Sequence, residues 1–294
     1  EIIYEDNVYW DDGCPYCNEC YNSKCNIYNY DYKPEPIFLG SNLYNTLYMG
    51  VELEVDDGKQ NINTARELQD VCSYIYCKKD GSLNNGFEIV THPATLDYHL
   101  NKMGWKSIVD ICKNNNYKSH DTETCGLHVH VNRKFFGEHT DEQDLNIAKL
   151  ILLINRFWDT HIVQFSRRHY KQLERWAKKN ELNYESDDTE GDVREKFKYV
   201  KDNGDRYQAI NLENYNTIEF RMFRGTLELS TILATLQFVD TISRFAKDVN
   251  LKKISSTTWE DIFENTEYKE LRKYCESRGL LKRKTNKGGN KLCV

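Results

Sequence analysis

Two histidines stand two residues apart in the segment CGLHVHVNR, residues 125–133, within an otherwise apolar alternation. Successive side chains of a β-strand point to opposite faces, so His128 and His130 would share one face with Gly126 and Asn132, opposite an apolar face. Paired imidazoles on one face can bind a metal ion or transfer protons. A half-buried strand whose polar face meets water has the same pattern, so this motif alone leaves both interpretations open.

Three other segments predicted as strands also divide into an apolar face and a charged face. The charged or coordinating residues are Glu52, Glu54 and Asp56 in the first, Glu88 and His92 in the second, and Thr217, Glu219 and Arg221, followed by Arg224, in the third. Burying such a face against another protein layer would cost on the order of several kcal/mol for each unpaired ion. A metal cluster with a phosphorylated ligand would instead satisfy all of these groups.

The residue types in this set favour particular ligands. Many carboxylates with few imidazoles favour hard cations such as Mg²⁺ or Mn²⁺ over zinc. Arginine side chains present planar forks that match phosphate and carboxylate groups. Together, these groups indicate ATP chemistry, in which charge on a transferring phosphoryl group must be neutralised.

Apolar periodicity and capping patterns predict the elements that would position these strands. Helices are predicted over residues 63–77 and 95–115, from a Thr140–Gln143 capping box to about residue 166, from Ser230 or Thr231 to Val249, and as two short segments within 258–278. A hairpin is predicted around Asn214–Asn216. Residues 178–195 are acidic and aperiodic, which is typical of a surface loop or of a mobile lid. Interleaved strands and helices with connections of mixed length favour an α+β fold.

Composition argues against several classes of protein. The chain has 294 residues, 39% of them hydrophobic, and a net charge of −6, so it can build a core but lacks the basic field of a nucleic-acid-binding protein. No run approaches the roughly 18 apolar residues that span a bilayer. Ten cysteines spread along a long chain favour a reduced, cytoplasmic setting, although a start at Glu1 is also compatible with a removed signal peptide. The basic residues 281–294 are predicted to form a flexible tail.

The first 45 residues are rich in cysteine, tyrosine and asparagine and form a segment of their own. They contain the spacing C-x2-C-x2-C-x4-C at Cys14, Cys17, Cys20 and Cys25. Four thiolates within twelve residues can close a tetrahedral Zn²⁺ site, which would be structural or help to dock a substrate. Free or disulfide-bonded thiols and an iron–sulfur cluster remain alternatives, although the ferredoxin pattern has a shorter last spacing and a following proline.

Four motifs occur together in a defined order: MGVELEVD, KKDGSLNNGFEIVTHP, CGLHVHVNR and RYQAINLENYNTIEFRMFRGTL. Their order and spacing resemble those of the amidoligase family, which belongs to the glutamine-synthetase-like and glutamate–cysteine-ligase-like carboxylate–amine ligases. The resemblance covers roughly residues 46–250 and implies a catalytic domain over 46–280. It also implies a glutamine-synthetase-like catalytic fold, with a curved, mainly antiparallel sheet, helices on one side and the active site on the concave face.

The resemblance implies a role for each motif residue. The implied Mg²⁺ ligands, shared between two ions, are Glu52, Glu54, Asp80, Glu88, His128 and Glu219. Asp80 departs from the usual glutamate at its position. The resemblance implies that His130 faces ATP or substrate and that Arg221 and Arg224 hold the phosphoryl group or the substrate carboxylate, with Arg206 as a further candidate.

The implied activity joins a carboxylate to an amine by way of ATP and an acyl phosphate. The substrates would be an amino acid, a peptide or a protein, and the sequence determines neither them nor the oligomeric state. A metal-dependent hydrolase of amide or related bonds is an alternative, because H-x-H near acidic residues also occurs on barrel strands. A nucleotide- or metal-binding module without catalysis is a second alternative.

Overall fold

The fold is described from a computed structural model that covers residues 8–11, 14–17, 27–41, 43, 45–264 and 266–283, with side chains described from residue 27 onward. The strands of its main sheet are β3 (Ile27–Tyr28), β4 (Met49–Val55), β5 (Ile75–Lys78), β6 (Phe87–Thr91), β7 (Gly126–Asn132), β8 (Ile210–Asn211) and β9 (Thr217–Arg224). A separate antiparallel hairpin consists of β1 (Val8–Asp11) and β2 (Cys14–Cys17).

The main sheet has the strand order β3-β5-β6-β4-β7-β9-β8. Its pairings are antiparallel except for β3 with β5, which run parallel. Strand β3 lies inside the predicted 1–45 segment, so that segment contributes an edge strand to the main sheet. The order also places β4, with its two glutamates, at the centre of the sheet, between the strands that carry Glu88 and the two histidines.

Strict alternation gives the central strand two different faces. Met49, Val51, Leu53 and Val55 of β4 are fully buried and belong to the hydrophobic core. The register between β7 and β9 shifts between Leu127 and Val129. Because a bulge adds one residue to one strand, β9 turns two successive side chains, Met222 and Phe223, into the core, and its alternation of faces is displaced by one residue beyond that point.

Together with this sheet, helices form an α+β fold. They are α1 (Ile62–Val71), α2 (Leu96–Asn101), α3 (Trp105–Asn114), α4 (Thr140–Arg156), α5 (Val163–Ser166), α6 (Tyr170–Trp176), α7 (Glu190–Asn203), α8 (Leu229–Asp248), α9 (Trp259–Ile262) and α10 (Lys269–Ser277). Trp158–Ile162 forms a π-helical turn, and Arg133–Phe136 and Leu251–Ser256 form 3-10 turns. Helices α4 and α8 contact each other, and their apolar residues share one hydrophobic cluster with the apolar face of the sheet.

Two of the predicted helices are wrong in extent. Helix α1 ends at Val71, and Ile75–Lys78 forms strand β5 instead of the last turn of a helix over 63–77. Pairing of this β-branched and aromatic stretch with β6 on one side and β3 on the other outweighs the local helical periodicity. The predicted helix 95–115 is broken between α2 and α3 at Gly104, whose φ of 76° lies in the left-handed region that glycine tolerates.

The predicted helix starts near Thr140 and Ser230 are also corrected. His139 and Glu228 precede α4 and α8, and neither makes a side-chain capping bond, so Thr140 does not act as an N-cap. The Gln143 side chain instead donates to the carbonyl of Gly137 at 2.9 Å. A capping box does occur at Thr189, which opens α7.

The segment 178–195 is therefore not aperiodic throughout. Its last six residues lie in α7, and its first residues are fixed against the sheet edge, where the buried Asn180 side chain donates to the carbonyl of Ile210 at 2.9 Å. The hydrogen bonds of Asn180 explain why a polar run without apolar periodicity is packed against the sheet. Across the described part of the chain, no helix has the combined length and apolarity required to cross a bilayer.

Candidate active site

The sheet register brings the polar faces of four strands into one row. Glu52 of β4 pairs with His128 of β7, and Glu54 of β4 pairs with Glu88 of β6. His130 of β7 pairs in turn with Glu219 of β9. Side chains directly opposite each other on one face of a sheet lie within reach of one another, so three pairs of strands assemble the row without any contribution from loops.

One cluster of candidate ligand atoms forms on β4, β7 and β9. Ligand atoms of Glu52, His128 and Glu219 all lie within 4.8 Å of one another. His128 Nδ1 is 3.5 Å from both Glu52 Oε2 and Glu219 Oε1. His130 Nε2 is 3.2 Å from Glu52 Oε1 but has no hydrogen-bond partner of suitable geometry among the described residues. This cluster has the two carboxylates and the imidazole expected of a divalent cation site.

A second cluster lies beside it and consists only of carboxylates. Ligand atoms of Glu54, Asp80 and Glu88 lie within 4.8 Å of one another, and Glu54 and Glu88 are buried. The Gly126 N–H donates to Glu54 Oε2, and the ammonium of Lys78 lies 2.7 Å from Glu88 Oε1. The charge of this one lysine does not balance three acidic groups, so a cation bound here would be attracted by the remaining negative charge.

Burial and neighbouring charge shift the pKa values of these glutamates in opposite directions. Burial, together with the charge of Glu52, holds the pKa of Glu88 well above its usual range, and burial raises that of Glu54 despite the opposing charge of His128. For Glu52, burial alone would raise the pKa, but His130 and His128 together lower it well below its usual value. The all-carboxylate cluster is therefore the part of the site that resists full ionisation.

The two clusters lie in one large cavity of about 1790 Å³. Its lining includes all six predicted metal ligands, His130, Arg206 and Arg221. None of residues 178–195 lines it, so the acidic segment does not cover the site in this structure. The volume exceeds the range of about 300–1,000 Å³ that is common for a single small ligand, so more than one substrate can be accommodated.

Two of the predicted arginines differ in their position. Arg221 Nη1 lies 2.5 Å from Glu219 Oε1, inside the cavity, and the other Glu219 oxygen accepts from Asn211 Nδ2 at 2.7 Å. Arg224 does not line the cavity and lies opposite Gly126 at the end of β9. The structure therefore brings Arg221, but not Arg224, into the row of acidic groups.

Arg168 is a cavity residue that no sequence pattern indicated. It lies in the turn between α5 and α6, is 8% exposed, and lines the cavity. Burial lowers its pKa to about 10, against the opposing effect of Glu54. Its guanidinium makes no hydrogen bond or ion pair with any residue in the described part of the chain, whereas Arg167 donates to the carbonyls of Arg224 and Gly225.

Lys78 and Asn211 were also missed. Lys78 follows the predicted helix 63–77 and falls in the predicted turn, although the stretch Ile75–Lys78 has the β-branched and aromatic composition of a strand. Asn211 precedes the predicted hairpin turn and had no distinguishing pattern. The predicted zinc ligands Cys14, Cys17, Cys20 and Cys25 lie outside the residues whose side chains are described, and so does most of the predicted basic tail.

Comparison with known families agrees with this geometry. A family model described as "Putative amidoligase enzyme" matches residues 58–243, which is more than half of the chain. No curated protein matches the chain significantly. The matched range contains Asp80, Glu88, His128 and Glu219, and strand pairing joins to them the two glutamates of β4, which precede it. From this match over residues 58–243 we conclude that the chain belongs to the amidoligase family.

Proposed function

We propose that this amidoligase is an ATP-dependent ligase that joins a carboxylate to an amine through an acyl phosphate. The observation that supports this activity most is the pair of adjacent clusters on one sheet face, Glu52–His128–Glu219 and Glu54–Asp80–Glu88. Two such clusters beside arginines, in a cavity with room for several substrates, match the needs of phosphoryl transfer to a carboxylate.

The residues of both clusters fit hard divalent cations. Their buried glutamates with raised pKa values are groups that a cation would satisfy. Beside them, 3.2 Å from Glu52 Oε1, lies His130 Nε2, which is buried and has no hydrogen bond among the described residues. Five carboxylates against one imidazole favour Mg²⁺ or Mn²⁺ over zinc. When bound, such ions would neutralise charge on the nucleotide phosphates.

The side chains of the protein would act on the reacting groups as follows. In the first step, an oxygen of the substrate carboxylate attacks the terminal phosphorus of ATP, and ADP leaves. Arg221, held in place by Glu219, would bind the oxygens of the transferring group through its planar fork. In the second step, the amine attacks the acyl carbon, with release of phosphate and of one proton. His130 would orient the nucleotide or the acid from the same face.

The test uses the purified full chain with ATP, MgCl₂ and pooled amino acids and peptides. Phosphate release is measured, and products are identified by mass. We expect phosphate release that depends on the presence of both an acid and an amine, and a product whose mass equals their sum less one water. Amide cleavage that requires zinc and ignores ATP would identify a hydrolase instead, and nucleotide binding without any turnover would identify a binding module.

A further inference from the structure

The edge of the sheet beside Arg221 carries a pair of aromatic side chains. Trp176 and Tyr207 both line the cavity, with ring centroids 5.7 Å apart. They are joined to the sheet by backbone contacts, since Lys178 N donates to the Tyr207 carbonyl at 2.8 Å and Arg221 N donates to the Ala209 carbonyl at 2.9 Å. The pair is thus fixed next to the strand that carries Arg221.

The exposure of this pair suits a flat ligand, which would stack on one of the two rings because their planes are inclined at 61°. Tyr207 is 39% exposed and Trp176 is half-buried, whereas Trp105, Trp158 and Trp259 are buried in the core. Arg175 lies over the Trp176 ring at 4.4 Å. An accessible indole backed by a guanidinium offers a surface on which a nucleobase can stack.

Positive charge without a partner lies on the same side of the cavity. The lining arginines Arg168, Arg206 and Arg221 all belong to β9 or to the segments around it. Arg168 is buried, and its guanidinium makes no hydrogen bond or ion pair with any described residue, although the charge of Glu54 acts on it. A buried guanidinium with free donors would bind strongly to an oxyanion such as a phosphate group.

Among the described residues, the opposite end of the cavity is lined by lysines and by no arginine, and the one exposed lysine among these is Lys33. Lys78 is paired there with Glu88 at 2.7 Å, and Lys79 Nζ donates to Asn29 Oδ1 at 3.4 Å. Tyr30 and Tyr76 also line that end. Both ends therefore have aromatic side chains, but only the β9 side combines them with a buried arginine that has no partner among the described residues.

We propose that ATP lies across β7 and β9 with its base on the Trp176–Tyr207 pair and its terminal phosphate at Arg168. This orientation rests on the proposed ATP-dependent ligation and specifies the nucleotide side of that site. It leaves the β5 end, beside Tyr30, Tyr76 and Lys78, for the acid and the amine.

The orientation is tested by measuring affinities for nucleotides of increasing length. Calorimetry with the full chain in MgCl₂ gives the dissociation constants of AMP, ADP and the β,γ-imido analogue of ATP. Trp176→Ala should weaken all three about tenfold, because each contains the base. Arg168→Gln should weaken the ATP analogue about tenfold and leave AMP unchanged, because only the longer nucleotide reaches it.

Matched variants separate binding from folding. Trp176→Phe keeps an aromatic face, so affinity should stay within about threefold while the quenching of tryptophan fluorescence by nucleotide disappears. Tyr30→Ala, at the opposite end, should leave all three affinities unchanged. Arg167→Gln should lower the melting temperature through its lost carbonyl contacts, yet keep the ratio of ATP-analogue to AMP affinity.

Different results would overturn different statements. If Tyr30→Ala weakens the nucleotides and Trp176→Ala does not, the orientation is reversed. If Arg168→Gln weakens AMP as much as the ATP analogue, Arg168 does not contact the terminal phosphate. If the native protein binds none of the three nucleotides, the ATP dependence of the proposed function fails, and the orientation fails with it.

Discussion

Glu54 and Glu88 lie directly opposite each other on adjacent antiparallel strands, and both side chains are buried. Like charges in such a cross-strand position oppose folding unless a proton or a cation intervenes. Lys78 partly compensates Glu88, and the charges of His128 and Arg168 partly compensate Glu54. Burial and like charge therefore make it costly for Glu54 and Glu88 to be ionised at the same time.

The first prediction concerns the pH dependence of stability. The pKa of Glu88 is raised in the folded protein, so the folded state keeps a proton that the unfolded chain releases near its usual value of 4.5. The free energy of unfolding must then fall as pH rises from about 4.5 through the raised pKa. Glu88→Gln removes this loss, so its melting temperature should rise relative to that of the native protein across the same window, by roughly 2–4 °C per kcal/mol.

Thermal melts of the two proteins at several pH values, without divalent ions, measure this difference. Added Mg²⁺ should stabilise the native protein more than the variant, because the variant lacks one ligand oxygen with negative charge. A difference that stays constant with pH would contradict a raised pKa for Glu88.

The second prediction concerns cation binding. Glu54→Gln keeps the size of the side chain but removes charge, so Mn²⁺ affinity and ligation should collapse, with excess Mg²⁺ or Mn²⁺ restoring little. Asp110→Asn is the matched control, because Asp110 is an exposed carboxylate that pairs with Lys106 outside the cavity. Calorimetric titration with MnCl₂ measures the affinity. Unchanged Mn²⁺ binding in Glu54→Gln would remove this residue from the proposed ligands.

The third prediction separates two arginines that the sequence grouped together. Arg221→Lys keeps the charge and loses the fork, so turnover should fall by about 10²- to 10³-fold while nucleotide affinity changes little. Arg224→Lys should keep turnover within about threefold, because Arg224 does not line the cavity. Steady-state rates and nucleotide affinities of both variants measure whether each arginine contributes to turnover. Equal losses in the two would mean that Arg224 also reaches the substrates.

The fourth prediction uses two glycines on the polar face of the sheet. An added Cβ at Gly126 would lie 2.5 Å from His128 Nε2 and 2.6 Å from Arg168 Nη2, so at least one of these side chains must move. Gly126→Ala should therefore weaken Mn²⁺ binding or nucleotide binding by about tenfold or more. In Gly50→Ala, the new Cβ would lie at an ordinary 3.8 Å from His130 Cβ, and binding should stay close to native. Calorimetry measures the Mn²⁺ and nucleotide affinities of both variants, and equal affinities in the two would contradict the prediction.

The fifth prediction concerns Cys14, Cys17, Cys20 and Cys25. Protein purified without chelators should contain about one zinc ion per chain, and replacing Cys14 and Cys17 by serine should remove it. Because metal binding is coupled to local folding, residues 1–45 should then become sensitive to proteases. Elemental analysis and limited proteolysis test both statements, and the absence of both zinc and iron from the native protein would refute the first.

Local sequence was sufficient to predict which candidate site residues share a strand face, because side chains alternate between the two faces of a strand. The period of two placed Glu52 and Glu54 on one face of β4 and His128 and His130 on one face of β7, and the structure has them there. The α+β class followed from the interleaving of predicted strands and helices, and the amidoligase family from the four motifs. The face on which each of these four side chains lies is a local feature, because it depends on the residues of one strand and on the fixed geometry of the extended chain.

Tertiary structure decided what depends on distant pairing. Lys78 enters the site only because β5 pairs with β6 and β3, which overrides a helical pattern in its own sequence. Arg168 reaches the cavity from a turn forty residues beyond His128, a convergence that no spacing reveals. Arg224 at the end of β9 lies outside the cavity, although it is only three residues from Arg221. In each case the packing of separate segments, and not the preference of one segment, determines which side chains meet.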